Sequence, residues 1–283
     1  MPERGAGTSH LSTLAFTAAA MLAFAANSLL CRLALARGGI DPASFGAVRI
    51  VSGAVALALI ARGRAGAGGD WASAAMLFAY VAFFSFAYVS LPAGTGALIL
   101  FGAVQLTMFG WALRGGERFG AAAWCGLALA AAGLVYLVLP GVSAPPLMGA
   151  VLMALAGAAW GVYSLRGRGS PDPLGATAGN FLRAAPLALV LWLPFAGMAH
   201  ADVTGIVLAI ISGALSSGVG YALWYTALRA LTAMRAATVQ LSVPLITAFG
   251  AVLVLDEAVT LRLVLASVAI LGGIALVLAR RTK

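Results

Sequence analysis

Ten side chains in this 283-residue chain place polar or aromatic chemistry inside otherwise apolar runs. They are Asn27, Arg49, Tyr80, Phe84, Gln105, Trp160, Tyr163, Tyr221, Trp224 and Gln240. Tyr80, Phe84 and Tyr88 stand at i, i+4 and i+8, so on a helix they share a face. Trp160 and Tyr163 do the same at i and i+3, and Tyr221, Trp224 and Tyr225 cluster within five residues. Aromatic walls with a few amide and hydroxyl groups suit a small zwitterion with an apolar side chain, because ligand sites are mostly apolar with a few placed polar groups. The alternative is helix packing: Ser, Asn and Gln bond across helices, and Tyr and Trp mark membrane interfaces. That alternative is the plainer one for Tyr88, Tyr225 and Ser242. Arg49 could hold a substrate carboxylate, although snorkelling outward or capping helix carbonyls is the more ordinary use of such an arginine. Arg183 reads as snorkelling toward the opposite side.

Other chemistries lack their residues. All eight acids (Glu3, Asp41, Asp70, Glu117, Asp172, Asp202, Asp256, Glu257) lie outside the apolar runs or at their ends. An intramembrane carboxylate is the usual ion relay, so tight proton coupling is not expected. His10 and His200 sit at run ends, and Cys31 and Cys125 fall in separate runs, so no metal, cofactor or disulfide framework is expected. An enzyme would need a nucleophile–base pair or metal ligands in the membrane, and none is evident.

The elements that must position these residues are ten apolar stretches, about 11–36, 44–61, 71–91, 94–113, 121–139, 147–166, 175–197, 203–228, 233–255 and 261–279. A membrane span needs about 20 mainly apolar residues. With 63% hydrophobic and 9% charged residues against about 25% charged in soluble domains, the chain reads as an all-α integral membrane protein with the lipid bilayer as solvent. The net charge of +9 then records topology rather than nucleic acid. With the N-terminus in the cytoplasm, twelve of the seventeen basic residues fall in inner segments, three (Arg32, Arg37, Arg262) in outer loops, and Arg49 and Arg183 within runs. This is the bias of the positive-inside rule, and it predicts both termini cytoplasmic in an inner membrane.

The chain also repeats. A small-residue start, an apolar run with one glutamine and a closing glutamate occur in 94–118 and again in 234–259, with Glu117 and Glu257 140 positions apart; in the runs that follow, Gly133 and Gly273 stand at the same offset. Asp41-Pro42 and Asp172-Pro173 open two runs at an offset of 131. Five helices is an odd number, so the second half must be inverted. Residues 1–140 and 147–283 are therefore expected as two inverted five-helix halves, with a substrate site where they meet.

These features together resemble a drug/metabolite transporter of the EamA type. The resemblance rests on Pro244–Glu257, the partner segment ending GGER at 115–118, and the two Asp-Pro starts. It implies an alternating-access exporter of small molecules, closest to exporters of aromatic and other neutral amino acids. Drug, nucleotide-sugar or lipid-linked substrates on the same fold are the alternative. Val104 stands where the second half has Pro244, so a proline hinge is expected only in the ninth helix, at Pro244. The small-residue ridges Ala122–Gly126–Ala130 and Ala269–Gly273 are expected to serve packing or a homodimer face.

Overall fold

The structure is a computed structural model that describes residues 10–62, 68–141, 143–167, 170–228, 230–231 and 239–279. Its helices are α1 (His10–Ala36), α2 (Pro42–Ala61), α3 (Trp71–Ala87), α4 (Ala93–Arg114), α5 (Ala121–Val138), α6 (Leu147–Gly167), α7 (Pro173–Trp192), α8 (Val203–Leu228), α9 (Ser242–Leu255) and α10 (Leu261–Ala279). Eight of them are long and apolar enough to cross a membrane, and α3 and α9 are shorter apolar helices. Among the described residues the only strand-like pairing is a single antiparallel bridge, Ile40 with Ala201. In lipid the backbone must satisfy its own hydrogen bonds, and a helix does so within one segment.

The helix starts are written in the acids. Asp41, Asp70, Asp172 and Asp202 cap α2, α3, α7 and α8, accepting from the backbone N–H of Ser44, Ser73, Gly175 and Gly205. Proline follows directly in α2 and α7, where its missing N–H costs nothing. Each carboxylate satisfies an orphan N–H and meets the positive end of the helix dipole. Among the described residues no acid lies inside a helix.

The packing is mutual. α5 lies along α10, α2 along α7 and α4 along α9. α3 and α4 pack on α6, as α8 and α9 pack on α1; α2 packs on α8, as α7 packs on α3. Exchanging each helix for the one five places on leaves these contacts unchanged. Almost all of them join the first five helices to the last five. Along α5 and α10 the backbones nearly touch, and a Cβ on Gly126 would run into the carbonyl oxygen of Gly273. The ridge therefore serves packing between these two helices rather than a face open to a second copy.

Two elements depart from the expected runs. α7 continues past Pro186 without a break and tightens into a 3₁₀ turn at Leu193–Met198. The ninth run begins later than expected: Leu241 interrupts the helix, and Pro244 falls in the first turn of α9. There its ring removes no intrahelical bond, so no kink forms within α9 itself. Residues 233–238 of that run lie outside the described residues.

Candidate functional site

At the middle of the bundle α8 widens. Ser212–Val219 is a π-helical stretch, a rare form that concentrates at functional sites. The wider turn carries Ser212, Ser216 and Ser217 inward, all buried. The Ser217 hydroxyl donates to the Ser212 carbonyl five residues back, at 3.0 Å. Gly213 makes this possible, since a Cβ there would meet the Arg49 carbonyl and the Ser52 hydroxyl of α2.

A polar thread then joins four helices, α8, α1, α3 and α2. The Ser212 hydroxyl donates to Asn27 Oδ1 on α1 at 2.6 Å, and Asn27 Nδ2 donates to the Tyr80 hydroxyl on α3 at 3.2 Å. Tyr80 also accepts from Arg49 Nη2 at 3.0 Å, and Arg49 Nε donates to Ser217 Oγ at 3.3 Å. Arg49 is 0% exposed. Its guanidinium stands over the Tyr80 and Phe84 rings at 5.1 and 4.9 Å, a cation–π arrangement strengthened by desolvation. The expectation that Arg49 snorkels outward is corrected here: the side chain turns into the bundle because two hydroxyls and two ring faces receive it. Arg183 does reach its helix end, donating to the carbonyls of Gly68 and Gly179.

Beside the thread lies an aromatic cluster centred on Trp160 of α6. Its ring contacts Tyr80 at 5.0 Å, Tyr221 at 5.2 Å, Tyr163 at 5.5 Å and Phe24 at 6.4 Å. Phe24 also meets Tyr221 and Trp224, each at 5.9 Å. Offset and edge-on rings at these separations attract beyond the area they bury. Asn27, Tyr80, Phe84, Trp160 and Tyr221 line a narrow cavity of about 20 Å³ together with Phe24, Ser28, Leu100, Phe101, Ser216 and Ser217. That is room for about one water. Tyr163, Trp224 and Arg49 stand directly behind these walls.

Gln105 and Gln240 are not brought to the cavity lining. Gln105 Nε2 is nonetheless buried without a hydrogen-bond partner among the described residues, as are Arg49 Nη1 and Thr247 Oγ1. Tyr88 behaves as a packing residue, its hydroxyl donating to the Ala93 carbonyl at 3.2 Å. Phe24, Ser212 and Ser217 were missed by sequence reasoning. Phe24 precedes Asn27 by three residues and so shares its helix face, which was the available signal; nothing in SGALSSGV announces a π turn. Among the described residues, no group of three His, Cys, Asp or Glu could hold a metal.

Each end of the bundle is tied by an arginine. At one end Arg32 Nε pairs with Glu257 Oε1 at 3.0 Å, and Arg32 Nη1 donates to the Tyr88 and Val89 carbonyls. Glu257 Oε2 accepts the Ala93 N–H at 2.7 Å and so caps α4. A shallow cavity of about 240 Å³ opens beside it, lined by Pro92, Thr95, Ala248, Glu257 and Leu263 among others. At the other end Arg166 pairs with Asp70 at 2.8 Å. Hydrogen bonds from the Ser73 hydroxyl, opposed by partial desolvation and joined by the Ser73 N–H and Arg166, lower the Asp70 carboxyl from 3.8 to about 2.

Residues 147–279 match the EamA-like transporter family. A curated relative, an uncharacterized protein of Pseudomonas aeruginosa, is 55% identical over 285 residues, spanning 99% of this chain and 97% of its own length. The chain belongs to the EamA-like transporter family. A solved crystal structure, described only as that of a protein, shares the fold at a TM-score of 0.67 and 20% identity, covering 97% of this chain and 100% of its own. Family and apolar helices together make this EamA-like transporter a multi-pass membrane protein.

Proposed function

We propose that the protein exports aromatic and other neutral amino acids, with related small metabolites, across the inner membrane by alternating access. Ten spans form two inverted five-helix halves, which rock about the cavity. The observation that carries this reading is the Trp160 cluster. Its rings come from both halves, Phe24 and Tyr80 from the first and Trp160, Tyr163 and Tyr221 from the second. A site assembled by both halves is remade whenever they move against each other. The exchange of helix contacts at five places, and the four aspartate caps repeating at offsets of 131 and 132 (Asp41 and Asp172, Asp70 and Asp202), support the inverted repeat. At about 20 Å³ the cavity is far below the roughly 300 Å³ of the smallest ordinary ligand sites, which fits a closed stage of the cycle.

The positive-inside bias puts both termini in the cytoplasm and the Arg32–Glu257 pair outside. With every described acid at a helix end, movement follows the substrate gradient. A nucleotide sugar would call for several cations at the cavity, where Arg49 stands alone among the described residues.

The test is uptake of a radiolabelled amino-acid panel into proteoliposomes, by wild type and Trp160→Ala, with counterflow measured without any ion gradient. Saturable uptake of aromatic or neutral amino acids, reduced at least about tenfold in Trp160→Ala by loss of the central stacking surface, supports the reading. No uptake of any amino acid by wild type would move the substrate class elsewhere, and strict dependence on a proton gradient would remove the facilitative mechanism.

A further inference from the structure

We propose that Arg49 is the anchor for a substrate carboxylate, so that the carrier selects its cargo by that group and not by an amine. This rests on the aromatic-substrate reading above and goes beyond it by naming the charge that is recognised.

The argument starts from what Arg49 lacks. Its guanidinium is fully buried, yet both of its hydrogen bonds go to neutral hydroxyls, Tyr80 and Ser217. Nη1 has no partner at all among the described residues. Asp41, Asp70, Asp172, Asp202 and Glu257 cap helix starts, Asp70 and Glu257 also pairing with Arg166 and Arg32, and none of the described acids forms an ion pair with Arg49. A buried cation without a counter-ion is costly, and ring faces and hydroxyls offset only part of that cost. Sites that retain such a charge inside a membrane protein are functional by default.

Position supplies the second half of the argument. Tyr80 and Ser217 both line the cavity, so the guanidinium is one hydroxyl away from whatever enters it. The planar fork matches a carboxylate through two parallel N–H···O bonds. A carboxylate arriving from the cavity takes Nη2 from the Tyr80 hydroxyl and engages the unpartnered Nη1. Arg49 is carried by α2 and Ser217 by α8, so the occupied anchor also ties together the two halves. A substrate ammonium finds no such partner: the cavity offers it only ring faces and the oxygens of Asn27, Ser28, Ser216 and the thread.

The experiment measures binding to the purified full-length carrier in detergent, by thermal shift and intrinsic tryptophan fluorescence. Four probes share one ring: phenylalanine, 3-phenylpropionate (no amine), phenethylamine (no carboxylate) and 3-phenylpropan-1-ol (no charge). Phenylalanine and 3-phenylpropionate are expected to bind comparably. The other two should bind about tenfold or more weakly, the loss expected when a buried charge is denied its hydrogen-bonding partner. Arg49→Gln should abolish the difference. Phenethylamine binding as tightly as 3-phenylpropionate, or a carboxylate preference that survives in Arg49→Gln, would overturn the proposal while leaving the aromatic reading in place. Binding of none of the four would overturn the aromatic reading and this proposal with it. Should Arg49→Gln fail to fold, the wild-type ratios alone decide.

Discussion

Replacing Glu257 with glutamine tests whether its pair with Arg32 closes the outer path. The carboxylate makes two charge-assisted bonds, one from Arg32 Nε at 3.0 Å and one from the Ala93 N–H at 2.7 Å. The amide keeps the size of the side chain but offers only neutral acceptance. Charge-assisted bonds contribute about 1.5–3 kcal/mol and neutral ones about 0.5–1.5, so each bond loses roughly 1–1.5 kcal/mol. Both side chains of the pair remain slightly under one-fifth exposed, and solvent screening trims the total to about 2 kcal/mol. At about 1.4 kcal/mol per factor of ten, that shifts the closed-to-open ratio roughly 30-fold. Cys31 is a native reporter: it precedes Arg32, is fully buried, and a buried thiol is inert. In a Cys125→Ser background, a membrane-impermeant maleimide applied from outside should label Cys31 roughly 30-fold faster in Glu257→Gln than in its parent, in proportion to that shift. Equal rates in the two proteins would refute the latch, and faster labelling from the inner side only would invert the proposed topology.

Other expectations follow from packing and charge. Gly126→Ala sets a Cβ against the Gly273 carbonyl, which cannot yield as a side chain would; it should cost about 1–3 kcal/mol and lower the melting temperature in detergent. Gly272→Ala, whose Cβ meets nothing within 4 Å, should leave melting unchanged or raise it slightly. Because the folded Asp70 carboxyl titrates near 2 instead of 3.8, its cap on α3 is at full strength above about pH 4 and is lost as pH falls toward about 2. The melting difference between wild type and Asp70→Asn should accordingly be constant from neutral pH down to about 5 and vanish near 2. Ser212→Ala removes the donor to Asn27 Oδ1 and should destabilise by about 1–3 kcal/mol, the cost of a buried acceptor left unmet, read in the same melting assay.

Depth along the chain was legible, and direction around a helix was not. Run lengths located nearly every helix within a few residues, because a bilayer demands about 20 apolar residues, and the Asp-Pro pairs at 41–42 and 172–173 marked two of the starts; that Asp70 and Asp202 also cap helices emerged only in the structure. The Tyr80–Phe84–Tyr88 face followed from spacing alone. Arg49 could be placed at a depth, but helices apolar all round carry no stripe that tells inside from outside, so its inward turn was hidden. The π stretch on α8 was hidden too, since Gly and Ser serve close packing equally well. The Arg32–Glu257 pair joins residues 225 apart, a contact that only the assembled bundle creates. Asn27, Gln105 and Gln240 were all candidates as amides within apolar runs; of the three the bundle places only Asn27 on the cavity wall.

The exchange of contacts between the halves bears on how the chain is made. Synthesis delivers α1 to α5 before any of their principal partners exists. α5 waits for α10, α2 for α7 and α8, α3 and α4 for α6, and α1 for α8 and α9. Until α8 arrives, Arg49 lacks Ser217, and its charge has only Tyr80 and Phe84 of α3 to receive it. The first 140 residues are therefore helices joined only by lesser contacts of their own, α2 with α3, α1 with α4 and α4 with α5, and the chain acquires most of its interior as the second half threads in among them. A ribosome stalled between α5 and α6 would leave helices in the bilayer without the bundle that encloses the cavity.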